Sequence, residues 1–260
     1  MKVSIGIDIG STSSELVIMD ENKKIIHQEM ALTGGNVKQT AETLLHRSLE
    51  TAGLDSSRVL AVTSTGYGRK GLDFATADKT EISCYARGAF FINPNVRTII
   101  DIGGQDSKVI SLDDTGKIRD FTMNDKCAAG TGKFLEMICL RFDIEMEQMG
   151  PLSLQSGKDV AISSICAVFA ESEAISLISS GETVEDVFNG AHKALCERIA
   201  GMAERVDVID EVLFCGGVAR NIGMKKQLGE ALGKTIHIPE MPEYVGAVGA
   251  ALIGLNSKRV

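Results

Sequence analysis

Ile7-Asp8-Ile9-Gly10 recurs 93 residues later as Ile100-Asp101-Ile102-Gly103. Each copy ends an apolar, β-branched run, Val3–Ile7 in the first case and Val96–Ile100 in the second. Each is followed by small polar residues, Ser11-Thr12-Ser13 and Gly104-Gln105-Asp106. A buried strand that delivers an Asp and then a glycine turn brings a carboxylate and backbone N–H groups to one place, which suits phosphate and a divalent metal. Two copies in one chain predict two similar half-domains facing each other across a nucleotide.

The surrounding pattern repeats with the motif. Strands are expected at 2–9, 14–20 and 23–32, then a helix capped by Asn36 and closed by Gly53. A strand at 59–64 and a helix at 80–92, ended by Pro94, complete the first round. The second round reads strands at 96–102, 107–112 and 117–123, with Asp113–Gly116 as the turn, then a helix from about Lys133. Helices at 167–180 and 183–205, a strand at 211–215 and helices at 219–231 and 244–255 follow. The fold class is therefore α/β, with duplicated halves at 1–95 and 96–260 and a final helix able to pack back on the first half. That helix carries Gly246, Ala247, Gly249, Ala250 and Ala251, small enough for close approach of a neighbouring element or a ligand.

With 260 residues and a net charge of −8, the chain suits one large or two small domains and argues against nonspecific nucleic-acid binding. No apolar stretch reaches the roughly 20 residues of a membrane span, and the strand pattern starts at the first residues, so a cytoplasmic protein is expected.

Familiar nucleotide motifs are missing. There is no G-x-G-x-x-G, and Gly130-Thr131-Gly132-Lys133 fails as a Walker A loop. Phe134 stands where Ser or Thr is needed, and Cys127 where the first Gly belongs. What remains is the duplicated Asp-Ile-Gly and a third glycine turn after a strand, Gly216-Gly217-Val218-Ala219-Arg220-Asn221. A single such turn also arises for purely structural reasons; three in this order resemble the actin, Hsp70 and sugar-kinase ATPase superfamily. That resemblance implies two RNase H-like halves closing on ATP and Mg2+. It implies phosphate contacts from Ser11, Thr12, Ser13 and Ser14, with Gly103 and Gly104 in the second phosphate loop. Magnesium would be held through water by Asp8 and Asp101, and Gly216, Gly217 and Ala219 would flank the adenosine. Gln105 bears on the reaction: a neutral amide cannot deprotonate an acceptor hydroxyl but can orient an attacking water, which favours a slow ATPase over a kinase.

Six cysteines lie at 84, 127, 139, 166, 196 and 215, with no C-x-x-C pair. Cys139 and Cys196 sit inside apolar helix patterns and are expected in the core, as is Cys84; Cys215 ends a strand beside Gly216. Cys127 and Cys166 each precede a predicted helix start, where a thiolate is favoured. Buried, inert cysteine is the ordinary alternative for both. If both are ligands, a twofold dimer would bring their number to the four that a [4Fe–4S] cluster needs.

Asn124–Phe134 (NDKCAAGTGKF) and Ala161–Glu173 (AISSICAVFAESE) resemble the activators of 2-hydroxyacyl-CoA dehydratases. The resemblance also covers Ser64-Thr65-Gly66-Tyr67-Gly68-Arg69, Ile99–Asp106 and Gly216–Asn221, and so nearly the whole chain. It implies a homodimer with one [4Fe–4S] cluster held by Cys127 and Cys166 of both chains. A reduced ferredoxin or flavodoxin would charge the cluster. ATP hydrolysis would drive one electron into a two-subunit iron–sulfur dehydratase, forming a ketyl radical on a 2-hydroxyacyl-CoA. Related readings are the ATPase subunit of a benzoyl-CoA reductase-type system, a small-molecule kinase without a cluster, or a metal-stapled scaffold ATPase.

One departure stands out. Relatives often carry Lys at the end of the first phosphate loop, where this chain has Glu15, which cannot neutralise phosphate. Glu243 aligns with a polar residue near the adenosine. Tyr67 and Arg69 acquire no derivable role. His27, His46, His192 and His237 are expected to be surface or satisfied polar residues. Glu136, Asp143, Glu145 and Glu147 form a solvated face or a docking surface for the dehydratase.

Overall fold

The computed structural model describes residues 1–162 and 166–257. The chain divides into two compact units: Met1–Val96, Leu112–Ile118 and the chain from Glu243 on form unit 1, and Arg97–Ser111 with Arg119–Pro242 form unit 2. The final helix thus belongs with unit 1. No helix among the described residues is long and apolar enough to cross a membrane.

Unit 1 is built on strands β1 (Val3–Ile9), β2 (Ser13–Asp20), β3 (Ile25–Leu32), β4 (Val59–Thr65) and β5 (Ala77–Asp78). Its helices are α1 (Val37–Thr51), α2 (Glu81–Ile92) and the C-terminal helix (Val245–Asn256). Asn36 begins α1, its side chain accepting the Gln39 N–H at 3.2 Å. The strands are ordered β3-β2-β1-β4-β5. β1 is buried along its whole length because it is covered on both faces, with Val3, Ile5, Ile7 and Ile9 alternating with Ser4, Gly6 and Asp8. One face packs Ile5, Ile7 and Leu16 with Ala41 and Leu44 of α1. The other packs Val17 and Met19 against Ala247, Ala251 and Leu252 of the C-terminal helix.

The small residues of that helix serve close packing. A Cβ on Gly6 of β1 would lie 2.0 Å from the Ala247 carbonyl oxygen, and one on Gly249 would lie 1.8 Å from the Cys84 carbonyl oxygen of α2.

Unit 2 repeats the plan with β6 (Thr98–Ile102), β7 (Ser107–Leu112), β8 (Ile118–Asn124), β9 (Val212–Cys215) and β10 (Ile236–His237), in the order β8-β7-β6-β9-β10. Its helices are α3 (Gly132–Arg141), α4 (Met146–Ser153), α5 (Ala167–Ser179), α6 (Val184–Ala203) and α7 (Ile222–Leu232); the C-terminal helix is therefore α8. The large core of unit 2 gathers Ile100, Ile102, Phe134, Ile138, Phe188, Leu195 and Phe214.

Two expectations need correction. The residues after Gly216 form a 3₁₀ turn, Gly217–Arg220, so α7 starts at Ile222 rather than 219. Helix α4, with Pro151 inside it, has no counterpart in the expected pattern because a central proline argues against a helix.

Candidate functional site

In unit 1, Asp8 stands near the end of β1, opposite Glu15 of β2 and level with Thr65 of β4. Directly paired residues share a sheet face, so the three side chains form one row. The Gly10 N–H donates to the Ser13 carbonyl at 2.9 Å and closes a tight turn around Ser11 and Thr12. Thr33 straps this turn: its N–H donates to the Thr12 carbonyl at 2.9 Å and its hydroxyl to the Gly10 carbonyl at 2.8 Å. Ser13 and Ser14 belong to β2 rather than to the turn. The Ser14 side chain is fully buried, 2.8 Å from the Thr33 hydroxyl.

Unit 2 reproduces the turn and the strand register of this arrangement. The Gly103 N–H donates to the Asp106 carbonyl at 2.9 Å, leaving Gly104 and the exposed Gln105 at the tip. Asp101 is level with Lys108 of β7 and Cys215 of β9. Gly216 follows β9 at φ +84°, and a Cβ there would lie 2.6 Å from Asp101 Oδ1. Gly66 follows β4 at φ +87°, and a Cβ there would lie 2.5 Å from Asp8 Oδ1. Only glycine fits either position.

The Gly66–Arg69 loop is therefore the internal twin of the Gly216–Arg220 loop. This gives the Ser64–Arg69 motif a place that its letters did not reveal. Arg69 Nη1 donates to the Gly66 carbonyl at 2.9 Å and holds the loop closed, and Tyr67 projects 80% exposed.

The two rows differ in charge. Lys108 is buried, with Nζ 3.0 Å from Asp101 and 2.8 Å from Asp106. Glu15 occupies the same place in unit 1 and is equally sequestered, at 6% exposed. The sequence reading passed over Lys108. The available signal was its position seven residues after Asp101, matching Glu15 after Asp8.

The segment around Cys127 is bonded directly to the Asp101 loop. Gly132 and Lys133, at the start of α3, donate their N–H groups to the Gly103 and Gly104 carbonyls at 2.9 Å each. The Ser107 hydroxyl donates to the Gly130 carbonyl. Asn124 grips the cysteine backbone from both sides, accepting its N–H at 3.1 Å and donating to its carbonyl at 2.8 Å. Cys127 is half-buried and opens the 3₁₀ turn Ala128–Gly130. Lys133 Nζ pairs with Glu136 at 3.0 Å, which suits the exclusion of a Walker A loop.

Cys166 is exposed and opens α5. Ser163–Ile165 of its motif lie outside the described residues. Val168 and Phe169 beside it are 59% and 68% exposed, and Glu171 lies 3.9 Å from Arg141 of α3. The other four cysteines are buried. Burial pushes the thiols of Cys84 and Cys139 up to about 12 and raises Cys196 as well, which disfavours a thiolate at those three. Cys127 and Cys166 are the two thiols that burial leaves accessible to a ligand.

Gly217 and Ala219 lie in the 3₁₀ turn after β9, and the Gly216 N–H donates to the Pro242 carbonyl at 3.0 Å. Asn221 caps α7, its Oδ1 accepting from Gly223 and Met224 at 3.0 and 3.2 Å. Glu243 is half-buried in the 3₁₀ turn Pro242–Tyr244, before α8. Of the histidines, His192 departs furthest from a surface role: it is fully buried in α6, with Nε2 2.9 Å from Asn221 Nδ2. Among the acidic residues, Glu145 starts α4, its N–H donating to Gln148 at 3.3 Å.

The chain is 42% identical to the (R)-2-hydroxyglutaryl-CoA dehydratase activating ATPase of Acidaminococcus fermentans, over 96% of this chain and 95% of that one. It superimposes with a TM-score of 0.92 on the activator of the 2-hydroxyisocaproyl-CoA dehydratase from Clostridium difficile with bound ADPNP, at 39% identity over 98% of this chain and 94% of that one. A ROK family glucokinase from Streptomyces griseus shares the fold at 15% identity and a TM-score of 0.59, over 96% of this chain and 98% of that one. The model of the BadF/BadG/BcrA/BcrD ATPase family matches residues 5–254. With both Asp-Ile-Gly loops, the late glycine turn and the two cysteine segments inside that match, the chain belongs to the BadF/BadG/BcrA/BcrD ATPase family.

Proposed function

We propose that this protein is an ATP-dependent activator of a 2-hydroxyacyl-CoA dehydratase. It acts as a homodimer whose Cys127 and Cys166 side chains hold one shared [4Fe–4S] cluster. The observation that carries the reading is the direct bonding of the Asp101–Asp106 loop to the Cys127 turn through Gly132, Lys133 and Ser107. A loop that senses the terminal phosphate of ATP moves a cysteine with it.

The donors suit the groups assigned to them. Asp8 offers the hard oxygen that Mg2+ prefers. Asp101 offers a second such oxygen, held 3.0 Å from Lys108 Nζ. The Ser11-Thr12 turn and the Gly103-Gly104 turn receive the phosphates, and the Gly216–Asn221 loop with Glu243 receives the adenosine. Gln105, exposed at its loop tip, orients the attacking water. Cys127 and Cys166 are the thiols left open, two per chain, and two chains supply four. When bound, such a cluster supplies a one-electron donor, fed by reduced ferredoxin or flavodoxin and discharged into the dehydratase.

Anaerobic purification tests this. The expected product is a brown dimer with about four irons per two chains. Cys127→Ala and Cys166→Ala should each lose the iron while still hydrolysing ATP, and only the unaltered dimer should activate a two-subunit dehydratase. A colourless protein that phosphorylates a small-molecule hydroxyl overturns the proposal.

A further inference from the structure

Helix α6 touches both ends of the proposed device within unit 2. It packs against α7, against α5 and against the 3₁₀ turn that follows Cys127. Toward α7 it presents three polar contacts in successive turns. Asn189 Oδ1 accepts from Gln227 at 2.9 Å, His192 Nε2 accepts from Asn221 Nδ2 at 2.9 Å, and Cys196 donates weakly to the Met224 carbonyl at 3.8 Å. Of these partners only Asn221 belongs to the glycine turn, as its last residue. Its N–H donates to the Val218 carbonyl at 3.0 Å, and its Oδ1 caps α7. Asn221 therefore has its backbone in the loop, its oxygen on α7 and its amide nitrogen on α6.

Toward the other end, α6 holds the segment that leads into Cys166. Asp186, in its first turn, accepts from the Ser156 hydroxyl at 2.8 Å and from the Gly157 and Lys158 N–H groups at 2.9 and 3.0 Å. Gly190 lets the chain come closer still, since a Cβ there would lie 2.5 Å from the Val160 carbonyl oxygen. His192 is two residues further along the same helix. With Nε2 accepting, the ring proton sits on Nδ1, which is buried and has no hydrogen-bond partner among the described residues. A buried donor left without a partner is costly.

We propose that the His192–Asn221 hydrogen bond makes α6 the element through which occupancy of the Gly216–Asn221 loop is felt at Cys166. His192 is a positioning residue in this scheme, and the inference rests on reading that loop as part of the nucleotide site. When ADP reseats the loop, Asn221 moves with it and draws on His192. The turn of α6 at Asp186 and Gly190 then shifts the 156–162 segment ahead of Cys166. The coupling should be of the size that one buried hydrogen bond carries, about two- to tenfold in an equilibrium or rate ratio.

The test uses the full chain, prepared without iron, and ADP as the probe. ADP affinity is measured by calorimetry. The alkylation rate of Cys166 by iodoacetamide is measured by peptide mass spectrometry, with and without ADP. His192→Leu removes the acceptor, and His192→Gln restores one. His192→Phe keeps a planar ring but offers Asn221 no acceptor, and it serves if His192→Leu does not fold. The expected result is an ADP-dependent change of about two- to tenfold in the unaltered chain and in His192→Gln. His192→Leu and His192→Phe should bind ADP yet show equal rates with and without it. An undiminished ADP effect in both of those variants overturns the inference, as does ADP binding to the unaltered chain with no change at Cys166. Failure of the unaltered chain to bind ADP overturns the nucleotide reading itself, and this inference with it.

Discussion

Replacing Lys108 with Met probes how unit 2 tolerates a buried carboxylate at its centre. The Lys108 and Asp101 side chains are 2% and 1% exposed, with Nζ 3.0 Å from Oδ2, and Asp106 lies 2.8 Å from the same nitrogen. At an effective dielectric of about 20, unit charges at that distance attract by about 5–6 kcal/mol. Most of this offsets the desolvation of the two ions, so the pair contributes little net stability. Truncation is a different quantity. It leaves Asp101 buried without its cation, and breaking a buried pair in this way costs about 3–5 kcal/mol. Met preserves most of the lysine stem, so a cavity adds little to that figure.

The assay is urea unfolding followed by far-UV circular dichroism, with hydrogen–deuterium exchange of the β6 and β7 peptides to report unit 2 by itself. The midpoint of the unit 2 transition should fall by about 1 M or more. The double variant Asp101→Asn with Lys108→Met should lose far less than the sum of the two single losses, because neither charge is then stranded. A Lys108→Met loss below about 1 kcal/mol, or additivity in the double variant, would refute the argument that charge pairing governs this site.

Two further outcomes follow from the geometry. Burial holds His192 neutral, pushed down to about 3 from an ordinary 6.5. Its proton is therefore taken up on unfolding: the stability it protects is fully present above pH 6.5 and is lost as pH falls from 6.5 toward 3, by about 1.4 kcal/mol per pH unit where the slope is full. Unfolding curves at pH 7 and pH 5 should show this loss in the unaltered chain and not in His192→Gln, and identical pH dependence in the two would contradict it. Separately, Gly66→Ala and Gly216→Ala should each destabilise their own unit by about 1–3 kcal/mol, since both place a Cβ against a backbone carbonyl at positive φ. Calorimetric scans showing either substitution neutral would break the twin-loop description.

Much of the fold was legible because hydrophobic periodicity and turn residues act locally. The β-branched runs before Asp8 and Asp101 had to be buried strands, and Asn36 and Gly53 bracket α1 through their own side-chain and backbone preferences. Where the chain breaks a local rule, the reading failed. Helix α4 tolerates Pro151, and the chain after Gly216 makes a 3₁₀ turn before α7 because Asn221 supplies the cap. Ser13 looks like a loop residue by composition, yet pairing with β3 draws it into β2, one residue ahead of the strand expected at 14–20.

The sequence by itself determined the duplication, the α/β class, the two aspartate loops and the contrast between Cys127 or Cys166 and the cysteines on apolar helix faces. Each of these depends on residue type and short spacing. Only the tertiary structure decided which residues meet across long separations. Strand pairing sets Lys108 against Asp101, level with Cys215, and sets Glu15 in the matching place beside Asp8. The turn after β4 proves to be the twin of the turn after β9. Helix packing brings His192 to Asn221, 29 residues further on. Register and helix packing are cooperative properties of a whole core, and no local window of residues encodes them.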